Sequence, residues 1–248
     1  MTVLLLRHGR STANTAGVLA GRSEGVTLDE AGTAQALALV ARLAVLPVVA
    51  VVSSPLTRCQ QTVAPLIAAR DLAPILDSRL AEVDYGTWTG RAIKDLAKES
   101  LWSVVQQHPS AAVFPGGEGL AQVQVRAVAA VREHDRTLAA EHGRDVLWVA
   151  CSHGDVIKAV LADALGAHLD AFQRIVADPC SISAVRYTPT RPFVLRTNDT
   201  AGDLTSLVPP PPKKRRLRRK KDEPGGVAHP GPADAHASDA VVGGGAGR

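Results

Sequence analysis

Three short apolar runs in this chain each end on residues suited to chemistry rather than packing. Thr2–Arg7 leads into Arg7-His8-Gly9, Val48–Ser53 into Ser53-Ser54-Pro55-Leu56-Thr57-Arg58, and Asp145–Cys151 into Ser152-His153-Gly154. Apolar runs of this length, bounded by turn residues, read as strands buried on both faces. Helical spacing fills the intervals. Thr27-Leu28-Asp29-Glu30 reads as a capping box ahead of a helix through about Leu43. Pro55 sits where a first helical turn tolerates it, opening a helix toward Arg70. Leu120, Val123, Val128 and Val131 space a long helix over 119–141. Ile75–Asp77 reads as a short extended piece, 91–107 as partly helical, Asp155–Leu165 as a helix, and 181–187 and 193–197 as late strands. The alternation predicts an α/β fold, a three-layer α/β/α arrangement around a mostly parallel central sheet. Ligands of such sheets bind outside the carboxyl ends of the strands. A fourth cluster, Glu82-Val83-Asp84-Tyr85-Gly86, follows the short extended piece.

With apolar residues at 46% and aromatics at only 3%, the core must be built from Ala, Val and Leu. The net charge of +4 is unevenly spread: nine of the 28 Lys and Arg lie in 209–248 with four acids, leaving 19 basic against 20 acidic residues before them. The folded part therefore carries no domain-wide polyanion footprint. The expected organisation is one domain over 1–208 and a disordered tail over 209–248, where Pro209–Pro212 and the basic run Lys213–Lys221 precede a Gly-, Ala- and Pro-rich end. That basic run is either a solvated extension or a salt-sensitive contact for an anionic partner. No apolar run approaches the roughly 18 residues a membrane span needs, and the apolar start before Arg7 is too short for a signal peptide. Three widely spaced cysteines, Cys59, Cys151 and Cys180, form no CxxC pair or metal cluster and suit a reducing, cytoplasmic compartment. Cys59 and Cys151 read either as redox-sensitive thiols beside a basic pocket or, preferably, as small buried apolar residues.

The clusters at the strand ends share a chemistry. A phosphomonoester carries about two negative charges near neutral pH. Arg7 and Arg58 offer planar forks to its oxygens. The imidazole of His8 can attack phosphorus and divide the transfer into two easier steps. His153 can donate to the equatorial oxygens as charge develops. The leaving alkoxide needs a proton, which a carboxylic acid with a raised pKa supplies. Glu82 and Asp84 both qualify on sequence grounds.

The ordered motifs resemble one family. Leu6-Arg7-His8-Gly9-Arg10-Ser11 with Asn14, then Ser53–Arg58 with Thr62, Leu80–Trp88 with Gly90, Pro115-Gly116-Gly117-Glu118 and Ser152-His153-Gly154 are similar to the signatures of the histidine phosphatase (phosphoglycerate-mutase-like) superfamily, across about residues 1–200. The resemblance implies a phosphohistidine on His8 and a phosphate pocket of Arg7, His8, Arg58 and His153. It further implies Glu82 as proton donor, phosphoryl binding by Ser11 and Asn14, and a carboxylate beside the pocket at Glu118. It implies no metal and no organic cofactor. Three positions depart from the pattern: Arg10 stands where many relatives are acidic, Asp155 where many have a second glycine, and Asp178–Ser181 where an Asn is frequent. Arg10 is expected to make the pocket mouth more positive.

The superfamily contains hydrolases and mutases. Residues 91–114 carry only Arg91, Lys94 and Lys98 as cations, unlike the long Arg-rich insertion of glycolytic mutases. Trp88, Trp102, Val104, Val105 and Phe114 read equally as an apolar lid or as core cover. The expectation is a metal-independent phosphatase of the histidine acid type, hydrolysing a small organic phosphate. The alternatives are a phosphoglycerate-mutase-type phosphomutase and a catalytically silent phospholigand-binding module.

Overall fold

The structure, a computed structural model, describes residues 1–200; the tail expected over 209–248 lies outside them. Six strands form one sheet: β1 (Thr2–Arg7), β2 (Val48–Ser53), β3 (Pro74–Leu76), β4 (Leu147–Ser152), β5 (Ile182–Tyr187) and β6 (Pro192–Asp199), in the order β3-β2-β4-β1-β5-β6. The pairs β1–β4, β2–β4 and β2–β3 are parallel, and β5 runs antiparallel to both its neighbours.

The period-2 alternation of strand side chains sorts the core into two layers. Val3, Leu5, Trp148 and Ala150 face the layer of α6 (Leu120–His142) and α7 (Gly154–Ala164). Leu4, Leu6, Val149 and Cys151 face α2 (Glu30–Leu43) and α3 (Thr57–Arg70). Both faces of β1 and β4 are buried, which explains their unbroken apolar runs. All three cysteines are buried and unpaired, and burial pushes the Cys151 thiol up, so they serve as core residues.

The connectivity creates the crevice. The chain leaves β1 toward α2 on one face, whereas it leaves β4 toward α7 on the other. Register places Arg7 beside Ser152 and Leu6 beside Cys151, and Cys151 also pairs with Ser53. The carboxyl ends of β1, β4 and β2 are thus level, and His8 and His153 leave the sheet side by side at this topological switch.

Two helix starts differ from the sequence expectation. The cap of α2 is Asp29, whose side chain accepts from the Gly32 amide, not Thr27. Thr27 is drawn instead into pairing with the first loop, its carbonyl accepting from the Thr12 amide while Ser11 and Leu28 form a bridge. Helix α3 begins at Thr57 with Leu56 as N-cap, so Pro55 precedes the helix. The short helix α1 (Thr12–Ala16) was not expected; Ser11 and Asn14 cap it reciprocally. Between β3 and α6 lie two short helices, α4 (Ile93–Leu96) and α5 (Ser100–Gln107). Trp88 and Phe114 are buried, and Trp102 stacks on Trp88 at 6.3 Å. Of the two readings for this aromatic group, core cover is the one the packing supports.

Candidate active site

A cavity of about 430 Å³ opens at the carboxyl ends of β1 and β4. Its wall includes Arg7, His8, Ser11, Asn14, Arg58 and Glu82, six of the seven residues expected from sequence. His8 is 3% exposed and follows β1 directly. Gly9 behind it packs against the first turn of α2, where a side chain would press within 2.8 Å of the Gly32 carbonyl. The Nδ1 of His8 lies 2.7 Å from the Gly9 carbonyl, which can only accept. Nδ1 therefore carries the proton, and Nε2 presents its lone pair. Arg58 Nε donates to that Nε2 at 3.3 Å. Burial, then the charges of Arg58 and Arg7, lower the His8 pKa to about 3, so the imidazole is neutral at ordinary pH.

Arg58 is buried on the first turn of α3, its Nη2 bridging the Gly21 carbonyl at 2.8 Å and His153 Nδ1 at 3.1 Å. Arg7 anchors one arm of its guanidinium on the Ala177 carbonyl and keeps a buried Nε–H without a partner among the described residues. A buried donor of this kind is costly unless an acceptor meets it. An oxyanion approaching through the cavity is such an acceptor.

His153 stands differently from the sequence expectation. It is fully buried and absent from the cavity wall. Its Nδ1 accepts from Arg58, so Nε2–H donates to Ser54 Oγ at 2.8 Å. Burial and the neighbouring Arg58 hold its pKa well below the usual imidazole value. In this arrangement it backs Arg58, its ring centroid 5.2 Å from that of His8.

Between the two candidate acids the geometry discriminates. Glu82 lines the cavity, with Oε1 accepting from the Val83 amide at 3.0 Å and Oε2 3.8 Å from His153 Nδ1. Burial, then repulsion from Asp155, raise its pKa to about 7 against the opposing pull of Arg58 and Arg7. Asp84 instead turns back to accept from the Gly86 amide at 3.0 Å and caps the turn. Glu118, expected beside the pocket, does not reach its wall. It pairs with Arg22 at 2.9 Å and Arg126 at 2.7 Å and accepts from the Asp84 amide. Arg22 and Arg126 in turn donate to the Glu82 carbonyl, so this brace holds the acid loop in place. Arg10, expected at the pocket mouth, is drawn off by Asp29 at 2.6 Å and lies outside the cavity wall. Ser11 and Asn14 line the cavity while capping α1; the signal was present as Ser-x-x-Asn, an unusual capping box. Tyr85 also lines the wall, as do Lys158 and Gln173, which no motif marks, although the i,i+3 spacing of Asp155 and Lys158 just after Ser152-His153-Gly154 marks one helical face. No group of three or more His, Cys, Asp or Glu arranged to hold a metal occurs among the described residues, and no helix among them is long and apolar enough to cross a membrane.

This fold and this set of strand-end residues define a histidine-phosphatase type of architecture. The sequence profile of the histidine phosphatase superfamily (branch 1) matches residues 3–200, and the chain belongs to that superfamily. It is 28% identical over 201 residues to Phosphoserine phosphatase 1 of Hydrogenobacter thermophilus, covering 80% of this chain and 92% of that protein. It is 31% identical over 212 residues to "Probable phosphoglycerate mutase GpmB" of Proteus mirabilis, covering 84% and 95%. Among solved structures, a mycobacterial glucosyl-3-phosphoglycerate phosphatase complexed with VO3 superposes with a TM-score of 0.73 at 24% identity, covering 80% and 98%, and shares the fold.

Proposed function

We propose that this protein is a metal-independent phosphomonoesterase acting on a small organic phosphate, with residues 1–208 as its catalytic domain in a reducing, cytoplasmic setting. The phosphoryl oxygens lie against Arg7 and Arg58, with Ser11 and Asn14 at the side of the cavity. A dianion offers Arg58 Nε a stronger acceptor than an imidazole does, which frees His8 Nε2. The Nε2 lone pair attacks phosphorus, the P–O ester bond breaks, and the departing oxygen takes the Glu82 proton. Glu82, now a carboxylate, accepts a proton from water as that water attacks phosphorus; the P–N bond breaks and releases inorganic phosphate. His153 holds Arg58 from behind.

The observation that carries this reading is the neutral, correctly tautomeric His8 facing a cavity that also holds two guanidinium groups and a carboxylic acid. Hydrolysis is favoured over phosphoryl return because none of the three cations of 91–114 lines the cavity. Arg91 pairs with Glu99 and Lys98 with Asp95, and neither they nor Lys94 line the cavity.

The test incubates purified protein with a radiolabelled aryl phosphate and, separately, with 3-phosphoglycerate. The expected results are release of inorganic phosphate and a covalent, acid-labile phosphoprotein that His8→Ala abolishes. Efficient isomerisation of 3-phosphoglycerate with negligible phosphate release would establish the mutase instead. Tight phosphate binding with neither turnover nor labelling would establish a silent phospholigand module.

A further inference from the structure

Asp155 is the second residue of α7 and lines the same cavity as Glu82. Its carboxylate joins two elements. Oδ2 accepts from the Tyr85 hydroxyl at 2.9 Å, and Oδ1 pairs with Lys158 Nζ at 3.2 Å, one turn along α7. Tyr85 lies on the acid loop three residues after Glu82. It is 4% exposed, with its ring edge-on to Phe114 at 4.9 Å. Lys158 is itself fixed, donating to Gln173 Oε1 at 2.8 Å and lying over the Phe172 ring at 4.6 Å. The loop bearing the proton donor is thus tied to the helix that begins just after His153.

The charges around Glu82 make that tie more than mechanical. Arg7 and His8 face it from the end of β1, Arg58 from α3, His153 from the end of β4, Tyr85 from its own loop, and Asp155 with Lys158 from α7. Arg22 and Arg126 touch only its main-chain carbonyl. Arg7 and Arg58 favour the carboxylate, which cannot donate a proton. Burial opposes them most, and the Asp155 carboxylate adds to it.

We propose that Asp155 is a positioning residue for proton donation. Through Tyr85 it holds the acid loop against α7, and it sets a negative charge in the same cavity as the Glu82 carboxyl, opposite two guanidinium groups. The consequence is a substrate range that includes alkyl phosphates, whose leaving alkoxides cannot depart without a proton. The inference rests on Glu82 being the acid of the proposed hydrolysis.

The experiment compares Asp155→Asn, Asp155→Ala and Glu82→Gln, each confirmed folded by circular dichroism, on β-glycerophosphate and on 4-nitrophenyl phosphate, whose leaving group departs as a stable anion. Asp155→Asn keeps an acceptor for Tyr85 and removes the negative charge together with the ion pair to Lys158. The basic limb of kcat/KM should move to lower pH by about one unit, and the alkyl-to-aryl rate ratio at neutral pH should fall about fivefold. Asp155→Ala should show the same displacement with a further loss on both substrates, as the loop is released. An unmoved basic limb in both variants, or an unchanged alkyl-to-aryl ratio in Asp155→Asn, would overturn the inference. Glu82→Gln separates the two levels. If it fails to depress the alkyl-to-aryl ratio, Glu82 is not the acid and the underlying reading falls. If it depresses the ratio while Asp155→Asn leaves the limb in place, only the role of Asp155 falls.

Discussion

The Asp77–Arg79–Glu133–His134 group and the Arg7–His8–Arg58–Glu82–His153 group are built from the same kinds of side chain, yet they are balanced differently. In the first, Arg79 reaches Asp77 at 2.8 Å and Glu133 at 2.7 Å, while His134 meets Asp77 at 2.8 Å. Both carboxylates share the one guanidinium. Against the burial that would raise it, hydrogen bonds from Arg79 and His134 hold the Asp77 carboxyl at about 2. In the second group two guanidinium ions face two imidazoles driven toward neutrality and a carboxyl driven toward protonation. Shifts toward the ordinary charged state indicate a network that stabilises the fold. Shifts toward the neutral state, beside permanent cations and an Arg7 Nε–H without a partner among the described residues, indicate a site arranged for an incoming anion.

The sharpest way to break this comparison is His8→Ala. Turnover should fall by about 10⁴-fold or more, since residues acting as one unit lose nearly everything when the nucleophile goes; steady-state assay on an aryl phosphate checks it. Arg58→Ala should lower kcat by about 10²- to 10³-fold, the scale for removing one preorganised donor to developing charge. It should also raise the His8 pKa, because Arg58 is a cause of its depression; an NMR titration of the ring protons reads this directly.

The pH–rate profile tests the two shifted groups together. With His8 held near 3, no limb should appear at the ordinary imidazole value of 6.5, and activity should fall above about 7 as Glu82 loses its proton. A limb near 6.5 on the acid side would mean that His8 titrates as an open imidazole. Inorganic phosphate at a hundredfold excess over its Kd should stabilise the protein by about 2.7 kcal/mol, seen as a raised Tm, and Arg58→Ala should erase the rise. The smallest effect belongs to the balanced group. Asp77→Asn should cost about 1 kcal/mol at neutral pH, allowing for solvent screening, with kcat/KM within about twofold. Because the folded Asp77 pKa is depressed, its contribution is present above the unfolded value of 3.8 and is lost as pH falls toward 2. Denaturant midpoints for both proteins should therefore converge over that range.

Much of this was readable from the chain. The strands Thr2–Arg7 and Val48–Ser53 lie where their apolar runs predict, and the level ends of β1, β2 and β4 gather the motif residues at one edge. Helix starts were less legible. Thr27 has the composition of a cap, but its backbone is claimed by the loop at Thr12, a contact with no local signature.

The order of apolar runs, turn residues and strand-end motifs by itself determined the α/β layering and delivered Arg7, His8, Arg58 and Glu82 to a common cavity, because period-2 and helical spacing are local properties of the chain. Only the tertiary structure decided what each polar side chain does there. Asp84 turns into its own backbone, Glu118 joins Arg22 and Arg126, Arg10 goes to Asp29, and His153 stands behind Arg58. A charged group takes the nearest partner that offsets its desolvation, and the partners are set by packing between segments far apart in the chain.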